Sequence, residues 1–65
     1  MMREIEVITD SGTFRRIKLI SVCRITERDG QTTQVYFEEG ATRSCGVANI
    51  PYKELRCLLQ RIKEP

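Results

Sequence analysis

The apolar pattern of the last third of the chain constrains the fold most. Between residues 50 and 63, five large side chains recur at the spacing of one helical face. They are Tyr52, Leu55, Leu58, Leu59 and Ile62. Pro51 suits the first helical turn, where its missing N–H costs nothing. The pattern predicts an amphipathic helix over 50–63 that buries this face against another element.

The first part of the chain has the patterns of short strands. Residues 3–9 alternate between apolar and charged side chains, with Ile5 and Val7 on one side of the strand. The run 14–27 is too long, and too apolar in its middle, for one half-exposed strand. We therefore expect a break or a bulge near residues 19–21 and favour the break, with one strand near 14–18 and another near 20–27.

A last strand is predicted over residues 42–48, just before the helix. One of its faces carries only small residues, which allow another backbone or the helix to approach closely. They are Ser44, Gly46 and Ala48. Together the elements predict an α+β fold: a small antiparallel sheet of four to five short strands, meander-like, packed by one C-terminal helix. We expect a single domain over 1–65, with the sheet at about 3–48.

A tight hairpin is predicted at Asp29-Gly30, which lies between two strand-like runs. A two-residue turn pairs Arg28 with Gln31, and the same register places Arg24 opposite Val35. In this register both faces of the sheet carry apolar groups. Because one helix covers only one face, the other face must curl inward, meet a second copy or meet a partner.

The small size of the chain bears on its partners. A chain of 65 residues buries only about 60% of its unfolded surface and is marginally stable. Three cysteines, an odd number, and no secretory signal argue against a disulfide framework. Without histidine or a Cys-x-x-Cys pair we expect no metal site, and we expect no cofactor. Contact with another protein or with a second copy is therefore the expected source of extra buried surface.

Charge and hydropathy narrow the functional class. No apolar run approaches the roughly 18 residues that cross a bilayer, so we expect a soluble, cytoplasmic protein without membrane contact. The net charge of +2 falls short of the basic balance of a dedicated nucleic-acid binder.

Catalysis is not expected, because histidine, the usual general base, is absent and no acid–base pair converges. Cys45 is flanked by Arg43 and Ser44, which lower the pKa of a thiol when they lie close. An ordinary core or sheet residue is nevertheless the favoured interpretation of Cys45, and also of Cys57.

The best candidate for a binding surface is the basic segment 13–18. On a strand, Phe14, Arg16 and Lys18 share a face, where an aromatic ring can stack on a base and the cations can hold phosphates. The full candidate surface comprises Phe14, Arg15, Arg16, Lys18, Arg24 and Arg43. The alternative is a solvated edge strand, whose cations discourage aggregation.

Size favours a small binding protein over an enzyme. Free-standing gene products of this length are often regulators, adaptors or inhibitors, and many are encoded by mobile elements. We expect a non-enzymatic protein that acts through protein–protein contact, with a homodimer as one form of it. A small DNA- or RNA-binding regulator that uses the basic strand is the alternative.

Overall fold

The computed structural model describes residues 3–63, which form five antiparallel strands and one C-terminal helix. The strands are β1 (Glu4–Thr9), β2 (Phe14–Lys18), β3 (Val22–Glu27), β4 (Thr33–Glu39) and β5 (Thr42–Ala48), and the helix is α1 (Tyr52–Lys63). The predicted class, an antiparallel meander-like sheet with one C-terminal helix, is confirmed. Of the expected domain 1–65, residues 1, 2, 64 and 65 lie outside the described part. Among the residues that the structure describes, no helix has the length and apolar character needed to cross a membrane.

The predicted break in the long β-rich run is a single 3-10 turn, Leu19–Ser21, between β2 and β3. Leu19 is buried, and its N–H donates to the carbonyl of Arg3 at 2.8 Å. The next residue, Ile20, points outward and is 77% exposed. The turn therefore ends the pairing of β2 with β1 and redirects the chain into β3.

The sheet is strongly curled. Its strand order is β2-β1-β5-β4-β3, and neighbouring strands are antiparallel, so the two edge strands β2 and β3 run in the same direction. Only the 3-10 turn joins them, and the chain from Lys18 to Val22 spans at most about 14 Å. A flat sheet would need the chain to travel back along a whole strand. The strands β2 and β3 therefore follow each other round a corner, as in orthogonally packed sheets.

The concave side of the curled sheet, which we call the inner face, holds the core. Its buried apolar residues are Ile5, Val7, Ile17, Val22, Val35, Phe37 and Ala48, joined by Leu19 and Leu55. The predicted close approach on β5 occurs at Gly46. A Cβ there would lie 3.0 Å from the Ile8 carbonyl oxygen and 3.0 Å from Cγ2 of Val7. A larger residue would have to push the neighbouring strand β1 away by a few tenths of an ångström, so Gly46 allows β1 and β5 to lie this close.

Helix α1 packs on the core with most of its predicted face. Leu55 is fully buried, and the side chains that pack half-buried against the core are Leu58, Leu59 and Ile62. Tyr52 is half-buried and is not part of this cluster. The helix begins at Tyr52, not at residue 50, because Ile50 precedes Pro51 and the residue before a proline disfavours the helical conformation. The Ile50 carbonyl instead accepts the Thr33 hydroxyl at 2.7 Å. The first helical bond runs from the Leu55 N–H to the Pro51 carbonyl at 3.0 Å.

The predicted register of the β3–β4 hairpin is wrong by one residue. The Asp29 carboxylate accepts the N–H groups of Gln31 at 2.8 Å and Thr32 at 2.9 Å, which extends the loop to residues 28–32. Gly30 also lacks the positive φ that a two-residue type I′ turn requires.

The observed register changes which residues share a face. Arg24 faces Tyr36, not Val35, and Ile25 faces Val35 on the inner face. A shift between Val22 and Arg24 restores the predicted pair of Val22 with Phe37. The apolar residues of β3 and β4 therefore gather on the inner face, and fewer of them remain on the other side than the predicted register implied.

Candidate binding surface

The convex side of the sheet, which we call the outer face, is free of the helix. A continuous row crosses all five strands on this face: Phe14, Ile8, Val47, Gln34 and Thr26. Phe14 is 63% exposed and Ile8 is 41% exposed, whereas Val47 is half-buried. The second row holds Cys45, Tyr36 and Arg24. The outer face therefore presents two exposed apolar groups, Phe14 on the edge strand β2 and Ile8 on β1, beside the half-buried Val47.

Five of the six predicted surface residues lie on the outer face. The pairing of β1 with β2 confirms that Phe14, Arg16 and Lys18 share one side of the strand. Arg24 and Arg43 extend from β3 and β5 on the same side, opposite Tyr36 and Glu38 respectively. These residues do not form one cluster, because Lys18 and Arg24 belong to the two opposite edge strands of the sheet.

Arg15 is the exception, because it lies on the inner face. Its guanidinium pairs with Glu39 and sits 5.7 Å from the ring centroid of Phe37. The strands that carry Arg15 and Glu39 are not neighbours in the sheet, so the contact spans the inside of the curl. Arg15 therefore lies at the rim of the core and is separated from the candidate surface.

Glutamates oppose most of the cations on the outer face. Lys18 faces Glu4 and Arg16 faces Glu6 across the β1–β2 pair. Arg43 donates to Glu38 at 2.6 Å, and this hydrogen bond, together with the charge of Glu38, raises the pKa of the guanidinium. The charges on this side thus alternate in sign and do not form a basic stripe.

Arg24 lacks a carboxylate opposite it. Its guanidinium lies over the ring of Tyr36, 4.8 Å from the centroid, within the range of a cation–π contact. This contact holds a flat cationic group against the sheet. Among residues 3–63, Arg24, Arg16 and Lys18 form no ion pair, although Arg16 and Lys18 lie opposite glutamates.

All three cysteines are free thiols. Cys45 is a half-buried sheet residue, as expected, with its Sγ 3.9 Å from a carboxylate oxygen of Asp10. The expected core position of Cys57 is wrong, because Cys57 lies on the solvent side of α1 and is exposed. Cys23 is exposed beside the irregular start of β3. No three potential metal ligands come together in residues 3–63.

Three outer-face residues were missed by the sequence analysis: Ile8, Tyr36 and Val47. The alternation of β1 carries a signal for Ile8, because this apolar residue continues the side of Glu4 and Glu6. The alternation of β5 likewise places Val47 on the face opposite Gly46 and Ala48. For Tyr36 the incorrect hairpin register gave Cys23 as its neighbour instead of Arg24. Comparison of the chain with protein-family models, with curated proteins and with solved structures gives no match.

Proposed function

We propose that this chain is a small non-enzymatic binding protein that recognises another protein through its outer face and acts as a regulator, adaptor or inhibitor. The row formed by Phe14, Ile8 and Val47 carries the proposal. Exposed aromatic and branched side chains with charged neighbours are typical of protein interfaces. On so small a chain, such a contact also adds buried area that the core cannot supply.

Charge supports a protein partner over a nucleic acid. Binding to a phosphate backbone relies on cations that face no competing carboxylates, and its strength grows with the number of phosphates neutralised. Here Lys18, Arg16 and Arg43 each have a glutamate opposite them. An interface with alternating charges instead suits a partner with a matching pattern, which fixes the orientation of the complex.

The cysteines support action in the cytoplasm. All three are free, and both Cys23 and Cys57 are exposed. Exposed thiols persist where the compartment keeps them reduced. The absence of histidine from the sequence supports a role without catalysis.

A capture experiment with matched variants tests the proposal. The tagged protein is immobilised, incubated with extract of the source organism with and without nuclease, and washed at low and high salt. Phe14→Ser is compared with Ile20→Ser, because both remove an exposed apolar side chain and only Phe14 lies on the outer face. We expect a captured protein that survives nuclease and high salt, is lost with Phe14→Ser and is retained with Ile20→Ser.

The nucleic-acid alternative predicts the opposite pattern. Bound material would vanish with nuclease, would fall steeply between about 50 and 200 mM salt, and would be lost in the double variant Arg16→Glu, Lys18→Glu. A homodimer would appear as a doubled mass in sedimentation of the pure protein and would dissociate with Phe14→Ser. Either nuclease-sensitive capture or equal behaviour of Phe14→Ser and Ile20→Ser would refute the proposed surface.

A further inference from the structure

The free edge of β2 offers a second kind of contact beside the outer face. β2 is an edge strand of the sheet, and no described residue pairs with the side of β2 that faces away from β1. An exposed edge presents a row of unpaired N–H and C=O groups that can template another strand. Binding at this edge rests on the proposed function, because it would be one way for the partner protein to reach the rim of the outer face.

The hydrogen bonds of the β1–β2 hairpin fix which backbone groups point outward. The Thr9 N–H donates to the Thr13 carbonyl at 3.0 Å, and the Leu19 N–H donates to the Arg3 carbonyl at 2.8 Å. Antiparallel ladders alternate between bonded and non-bonded pairs, so the odd-numbered residues of β2 bond to β1. The even-numbered residues direct their N–H and C=O groups to the free edge. They are Phe14, Arg16 and Lys18.

The same three residues therefore supply both edge hydrogen bonds and outer-face side chains. Arg16 and Lys18 carry charge at this edge, and both are exposed. On the paired side, Glu4 and Glu6 of β1 lie opposite these two cations, whereas no strand of the described part of the chain lies on the free side. A strand added there therefore meets two cations, which suits an acidic segment.

A second copy of β2 fits this edge poorly. Symmetric antiparallel pairing of the whole strand would set Arg16 opposite Arg16 of the other copy. The two neighbouring registers would set Arg16 opposite Lys18, or Arg15 opposite Arg15. Like charges directly opposite each other destabilise a sheet. The edge thus disfavours self-association and favours a strand of opposite charge.

We propose that the free edge of β2 binds an extended acidic segment of a partner protein, which adds a sixth strand to the sheet with carboxylates opposite Arg16 and Lys18. Backbone hydrogen bonds to alternate residues give such strand addition its affinity, and the side chains give it specificity. The charge pattern would then serve two purposes, because it excludes copies of β2 and selects acidic strands.

The probe is a blocked octapeptide of alternating glutamate and valine, titrated into the 15N-labelled full chain. We expect the amide protons of Phe14, Arg16 and Lys18 to shift and to gain protection from hydrogen exchange. The amides of Arg15 and Ile17, which already bond to β1, should change little. A lysine–valine octapeptide should not bind the natural chain but should bind Arg16→Glu, Lys18→Glu.

Two substitutions at one position separate backbone from side-chain contact. Arg16→Ala and Arg16→Pro both remove the charge, but only Arg16→Pro removes the outward N–H. Proline is tolerated where the N–H of an edge strand faces solvent, so both variants should fold, which circular dichroism checks. We expect Arg16→Pro to bind the acidic peptide about threefold to tenfold more weakly than Arg16→Ala, the value of one lost hydrogen bond.

Three results would overturn the strand addition: no protection of the even-numbered amides, equal binding by the two Arg16 variants, or equal binding of the acidic and basic peptides. None of them would contradict the proposed function, provided that Phe14→Ser still abolishes capture of the partner and Arg16→Pro does not. In that case the partner contacts side chains of the outer face and leaves the edge unused.

Discussion

The two phenylalanines of the sheet show how differently its two faces are built. Phe37 is 1% exposed on the inner face, beneath the Arg15 guanidinium, whereas Phe14 is 63% exposed on the outer face. The inner face holds nearly all the buried apolar side chains, and the outer face mixes apolar groups with charged pairs. The core that determines the fold thus lies on the inner face, and the proposed binding function uses the outer face, which the core does not need.

The largest effect should come from the matched substitutions Phe37→Ala and Phe14→Ala. Removal of a buried phenylalanine costs about 3–5 kcal/mol, which takes most of the stability of a small domain. The exposed ring should change the free energy of unfolding by no more than about 0.5 kcal/mol. Urea denaturation followed by circular dichroism measures both. Equal losses in the free energy of unfolding for the two variants would contradict the distinction between the faces.

A second contrast lies along α1, between Leu55 and Leu58. Leu55 is fully buried, so Leu55→Ala should cost about 2–5 kcal/mol. Leu58 is half-buried, and Leu58→Ala should cost clearly less, because part of the removed side chain already contacts water. The melting temperatures of the two variants show which substitution costs more stability. A lower melting temperature for Leu58→Ala than for Leu55→Ala would mean that the helix packs with a different face.

The close approach of β1 to β5 is tested by Gly46→Ala. The added methyl would meet the Val7 side chain and the Ile8 carbonyl oxygen, each at 3.0 Å, and overpacking of this kind costs about 1–3 kcal/mol. Gly30→Ala is the control, because no atom lies within 4 Å of its added methyl and Gly30 has no positive φ. If Gly46→Ala were as stable as the control, the curl of the sheet would be looser than described.

The smallest effect concerns the Asp29 loop and its pH dependence. Hydrogen bonds from the Gln31 N–H and from Thr32 lower the pKa of Asp29 below its ordinary value. A carboxylate whose pKa is lower in the folded state than in the unfolded state stabilises the fold at any pH above the unfolded-state pKa of about 4. This stabilisation is lost as the pH falls through the folded-state pKa.

The stability difference between the natural chain and Asp29→Ala should therefore be present at neutral pH and shrink in strong acid. Denaturation curves of both proteins from neutral to acid pH measure it. A difference that stays constant over this range would show that the carboxylate does not hold the loop.

Most of the inner face could be predicted from the sequence, because its pattern depends on local alternation. Ile5 and Val7 follow the period of a strand, and Leu55 follows the period of a helix. The hairpin register could not be predicted, because Asp29-Gly30 favours a two-residue turn by composition. The observed loop depends instead on two N–H groups that the Asp29 side chain accepts.

The outer face was predicted only in part. Alternation correctly joined Phe14, Arg16 and Lys18, because that relation lies within one strand. The pair of Arg15 with Glu39 depends on the curl that brings β2 towards β4, two strands that are not neighbours. Relations of that kind arise from tertiary structure, and a local pattern does not contain them.

The most direct test of the division between the faces measures stability and partner capture on the same preparation of Phe14→Ser. We expect the free energy of unfolding to stay within about 0.5 kcal/mol of the natural chain, while capture of the partner protein is lost. Retained capture by the folded variant would contradict the account, and so would a loss of capture that merely follows a loss of stability.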